Sequence, residues 1–94
     1  MSTTDDYIRM LYDLEAGLYK EPYVSYHNIS RDKDRVLNIY VRFRQCIDQN
    51  QINYWIEQAK TLGRLAIEVQ HFPGAKIIIK EDERDIILES IMVT

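Results

Sequence analysis

The clearest pattern in the chain lies between residues 37 and 44. There Leu37, Ile39, Val41 and Phe43 alternate with Asn38, Tyr40, Arg42 and Arg44, which predicts a strand with one face in a core and one face wet. Upstream, Tyr7, Leu11, Leu14 and Leu18 recur at steps of four, three and four. They follow the capping hydroxyls of Ser2, Thr3 and Thr4 and the acids Asp5 and Asp6, so a helix begins there, and Pro22 stops it. The segment from Tyr23 to Ile29 reads as a strand, and residues 30–34 read as the polar turn of a hairpin. Asp48 with Gln51 has capping-box spacing. Behind it Ile52, Trp55, Ile56, Ala59 and Leu62 form an apolar stripe, predicting a second helix over 49–62 that closes on Gly63.

Beyond Gly63, Leu65, Ile67 and Val69 alternate with Arg64, Ala66, Glu68 and Gln70, the pattern of a third strand ending at Pro73-Gly74. Ile77, Ile78 and Ile79 open another strand, and the acidic turn 81–85 leads to Ile86, Ile87 and Leu88. Their β-branched content favours a closing hairpin over a short helix across 84–93. The expected fold is α+β: two helices packed on one face of a four- to five-stranded, mainly antiparallel sheet. Its order is α-β-β-α-β-β, with room for an extra C-terminal strand. A crossover through the second helix would make one strand pair parallel. The helix-strand-strand order occurs twice, and a shift of 44 residues superposes Ile8 on Ile52, Leu18 on Leu62 and His27 on His71.

Length makes this a single domain, residues 1–94. A hydrophobic fraction of 46% and only three glycines and two prolines exclude a disordered or linker-rich chain. Cys46 is the one cysteine, so no internal disulfide forms, and a reducing, cytoplasmic setting is expected; no apolar run is long enough for a membrane. The net charge of −3 is uneven. Residues 1–21 hold five acids against two bases and residues 81–94 five against one, while 31–64 hold seven bases against four acids.

Catalytic chemistry has little to work with. A Cys46 nucleophile would need a base, and the two histidines, His27 and His71, stand in no motif with it. Metal-ligand spacings, a phosphate-cradling glycine loop and paired catalytic carboxylates are all missing, so no enzyme, no cofactor and no metal are expected. What remains is surface. Seven tyrosines include Tyr12, Tyr40 and Tyr54 off the apolar stripes, and Tyr and Arg are enriched where proteins meet.

The leading expectation is a non-enzymatic protein-protein interaction module. Its size, lack of chemistry and polarised charge resemble, as a class only, the accessory proteins of phages and mobile elements that inhibit or modulate a host nucleic-acid-processing or defence enzyme. The candidate contact residues are Tyr40, Arg42, Arg44 and Tyr54, with Glu81, Asp82, Glu83 and Asp85 as an acidic element for a basic groove. The alternative is single-stranded nucleic acid bound on the exposed face of strand 36–44, by stacking on Tyr40 and phosphate contacts from the arginines. A free strand edge beside either hairpin also permits a homodimer.

Overall fold

Thr3 begins the first helix by a reciprocal cap. Its hydroxyl accepts from the Asp6 N–H at 3.3 Å and the Asp6 carboxylate accepts from the Thr3 N–H at 2.8 Å. The computed structural model describes residues 2–45 and 47–94. Helix α1 (Thr4–Lys20) leads to β1 (Val24–Arg31) and β2 (Leu37–Phe43); α2 (Gln49–Gln70) then leads to β3 (Ala75–Glu81) and β4 (Ile86–Val93). The sheet order is β1-β2-β3-β4. The outer pairs are antiparallel and β2-β3 is parallel, as a crossover through α2 requires.

The predicted α-β-β-α-β-β order and the two-layer α+β arrangement are observed, with four strands among the described residues. Residues 86–93 form a strand, not a terminal helix. The strand predicted over 64–70 is corrected: α2 runs on to Gln70 and is capped by His71, in the left-handed region at φ 58°. The alternation of Leu65, Ile67 and Val69 was misleading because Gly63 and Ala66 continue the buried stripe of Ile52, Trp55, Ile56, Ala59 and Leu62 at helical spacing. Gly63 is therefore not a cap. It is a buried helical residue whose missing side chain admits β3, since a Cβ there would lie 2.9 Å from the Ala75 Cβ.

The 44-residue correspondence does not mark a symmetric duplication. His27 lies in β1 whereas His71 caps a helix. Moreover, the second strand of the first unit and the first strand of the second unit are the central ones.

The core lies between the helices and one sheet face. The central strands supply Ile39, Val41, Phe43, Ala75, Ile77 and Ile79, and the helices supply Leu14, Leu18, Ile52, Trp55, Ile56, Ala59, Leu62 and Ala66. Each such large aliphatic side chain contributes about 1.5–3 kcal/mol by leaving water. Trp55 reaches across to donate from Nε1 to the Tyr23 hydroxyl at 3.1 Å while its ring edge rests against Gly17. At the other end Phe72 is covered by the Arg31 and Arg35 guanidiniums, 6.0 and 5.9 Å from its centroid, and by the edge of Tyr7.

Candidate outward sheet face

Because both helices occupy one side of the sheet, every second strand residue on the other side faces outward. The registers arrange these positions as three rows across the four strands. The first is Tyr26, Arg42, Lys80 and Ile87; the second is Asn28, Tyr40, Ile78 and Ser90; the third is Ser30, Asn38, Lys76 and Met92. None of the twelve is acidic. Large apolar or aromatic side chains cross the face from Tyr26 through Tyr40 and Ile78 to Met92, with Ile87 at the upper corner. Tyr26, Ile87 and Met92 are 51%, 59% and 56% exposed. Tyr26 and Tyr40 meet edge to face with centroids 5.9 Å apart, a diagonal cross-strand aromatic pair.

The acids of this surface stand at its upper rim and neutralise two of its three cations, Arg42 and Lys80. Asp82 accepts from Arg42 Nε at 2.6 Å and from the Ser25 hydroxyl. Ser25 is the extra residue of a β1 bulge, since Val24 pairs with Phe43 and Tyr26 with Arg42, and the bulge aims its hydroxyl at Asp82. Asp85 pairs with Lys80 at 2.8 Å. Together Ser25, Tyr26, Tyr40, Arg42 and Asp82 line an open depression of about 470 Å³.

These bonds move the carboxyls in one direction. The Ser25 hydroxyl, and then the Arg42 guanidinium, hold Asp82 below the usual carboxylate range; Lys80 does the same for Asp85. In the turn between β1 and β2, the Asn38 amide and the Val36 and Asp34 N–H groups do so for Asp32. All three are lowered on folding, so their contribution to stability is complete above the unfolded value near about 3.9 and is lost as pH falls through the folded values. Stability against urea should therefore fall on acidification below about pH 4. Asp82→Asn should flatten that fall, and an unchanged slope would show that the Ser25–Asp82–Arg42 cluster is not formed in solution.

The residues singled out from the sequence separate into different places. Tyr40 and Arg42 stand on this face. Arg44, one residue past β2, instead donates from Nε to the Pro22 carbonyl at 3.0 Å and secures the α1-β1 connection. Tyr54 lies on α2, edge to face with Trp55 and away from the outward sheet face. Glu83 and Asp85 are exposed at the β3-β4 turn, and Asp82 is half-buried.

Glu81 corrects the expectation of a wholly exposed acidic turn. It is the last inward position of β3, 0% exposed, with its carboxylate accepting from Arg84 Nε at 2.9 Å and from the Arg84 backbone N–H at 2.8 Å. The alternation Ala75, Ile77, Ile79, Glu81 carried that signal, and the charge of its neighbours hid it. Tyr26, Ile78, Ile87 and Met92 were missed because their place on the face follows from strand pairing.

His27 packs against Tyr19 with centroids 4.5 Å apart, and His71 ends α2; the Cys46 reading lies outside the described residues. Among the described residues no His, Cys, Asp and Glu group could hold a metal ion, and no helix is long and apolar enough to cross a membrane. No protein-family model, curated protein or solved structure matches this chain.

Proposed function

We propose that this chain is a non-enzymatic interaction module that docks on another protein through the outward face of its sheet. The observation that carries the reading is the run of Tyr26, Tyr40, Ile78, Ile87 and Met92 across a face that both helices leave uncovered. Large apolar and aromatic anchors ringed by satisfied polar groups are how protein interfaces concentrate affinity. The fitting partner surface has an apolar centre. Docking of this kind is how a small protein without chemistry of its own inhibits or modulates an enzyme.

The ion pairs favour protein over single-stranded nucleic acid. Arg42 and Lys80 are already engaged by Asp82 and Asp85, so phosphates would have to compete with carboxylates in place. The acidic turn is correspondingly weak as a lure for a basic groove. Glu81 is buried, and Asp82 and Asp85 are paired.

Affinity capture from the native cell tests the proposal when wild type is compared with face and helix variants. Tyr26→Ala with Tyr40→Ala should weaken retention of the captured protein about thirtyfold, the loss of a hot-spot contact. Tyr12→Ala and Tyr54→Ala, at exposed helix positions, should leave it unchanged. The opposite pattern would refute the reading. So would saturable binding of oligothymidylate at low salt that weakens steeply as salt rises, which would transfer the face to nucleic acid.

A further inference from the structure

We infer that the free edge of β4 is a self-association surface, on which a second copy of this chain pairs antiparallel to extend the sheet from four strands to eight. The two edges of the sheet differ in kind. β1 carries Ser25, His27, Asn28, Ser30 and Arg31, and α1 lays Tyr19 against it, features that discourage pairing. β4 is eight residues long, IILESIMV, with Glu89 as its one charged side chain. Its unpaired backbone donors and acceptors border apolar side chains that are exposed in the single chain, Ile86 at 38%, Ile87 at 59% and Met92 at 56%. An edge of this composition is a template for another strand.

The strand is complementary to itself in the antiparallel sense. Ile87 and Met92 share the outward face and stand near opposite ends of β4; Ile86 and Val93 do the same on the helix side. A two-fold axis through the middle of the edge sets the start of one strand beside the end of the other. Ile87 then comes near the second copy's Met92, and Ile86 near the second copy's Val93, each contact made twice.

Charge supports the same direction. The acidic turn with Glu83 and Asp85 precedes β4, whereas Lys76, paired in register with Met92, marks its far end; neither Glu83 nor Lys76 is in an ion pair among the described residues. Antiparallel pairing turns each acidic turn towards the other copy's Lys76, and parallel pairing would set the two acidic turns side by side. The closed dimer uses both apolar edges and leaves only the polar β1 edges exposed. Ile87 and Met92 belong to both surfaces, whereas Tyr26 on β1 and Tyr40 on β2 stand away from the β4 edge, so the Tyr26→Ala, Tyr40→Ala variant tests the sheet face without touching the dimer seam.

Sedimentation equilibrium of the full chain over a concentration series is the test, read together with hydrogen exchange resolved along β4. A reversible dimer of twice the 11.2 kDa chain mass is expected, with β4 amide protection rising with concentration while β1 protection does not. Ile87→Lys with Met92→Lys, at exposed positions that a single folded chain tolerates, should raise the dissociation constant about a hundredfold. A monomer at every concentration, a dimer whose protection appears at β1, or a folded double variant that dimerises as well as wild type would overturn the inference. Should the double variant not fold, the wild-type exchange series decides alone.

Discussion

Gly63→Val is expected to destabilise the domain by about 3 kcal/mol in urea unfolding, the upper range for overpacking a filled core. A Cβ at Gly63 already stands 2.9 Å from the Ala75 Cβ, and a branched side chain would also press on Val93, whose Cβ lies 3.7 Å from that Cβ. Ala75 is in a central strand paired on both sides, so it has no free direction in which to yield. The alanine variant separates the causes. In an unhindered helix Gly→Ala gains about 1 kcal/mol of propensity, yet here Gly63→Ala should lose about 1–2 kcal/mol because the contact outweighs that gain. Gly63→Ala combined with Ala75→Gly removes the opposing methyl, so a coupling of about 1–2 kcal/mol should appear in the double-mutant cycle. Were Gly63 a left-handed cap, the substitution would cost the same whatever stood at position 75. Absence of coupling would therefore reject the continuous α2 helix.

The second large effect belongs to the β3-β4 turn. Glu81 is 0% exposed, and Arg84 supplies both a side-chain and a backbone donor to its carboxylate. Arg84→Met keeps the backbone donor and removes the charge facing the buried carboxylate. Because the Arg84 side chain is itself 54% exposed, the cost should be about 2 kcal/mol, that of a lost hydrogen bond to a charged group. Replacing Glu81 by methionine as well should recover most of the loss, since the desolvated carboxylate goes with it. Guanidinium unfolding of the three proteins checks this; an Arg84→Met variant as stable as wild type would mean that Glu81 is solvated. Charge reversal at Glu81 strikes the fold for the same reason, and a binding test of the acidic turn belongs at Glu83.

Local periodicity disclosed the elements whose pattern had one interpretation. The alternation of Leu37 to Phe43 placed β2, and the Thr3 and Asp48 caps placed the starts of both helices. It failed where two periods overlapped. Leu65, Ile67 and Val69 alternate like a strand and are half-buried in the last turns of α2, because Gly63 and Ala66 keep the helical stripe against β3. The candidate face was half legible. Tyr40 and Arg42 follow from the parity of one strand, whereas Tyr26 and Ile78 join them only through register. The run Ile77-Ile78-Ile79 conceals which of three identical residues faces outward until β2 and β4 are placed beside it. The contact of Arg42 with Asp82, 40 positions apart in the chain, likewise has no local signal.

Backbone and methyl chemical-shift mapping of the isotope-labelled chain, titrated with its captured protein partner, tests most directly whether the outward sheet face is the working surface. Shifts are expected to concentrate on Tyr26, Tyr40, Ile78, Ile87 and Met92 while Tyr12 and Tyr54 on the helices stay in place. Shifts confined to the helix side, with these five positions unmoved at saturation, would contradict it.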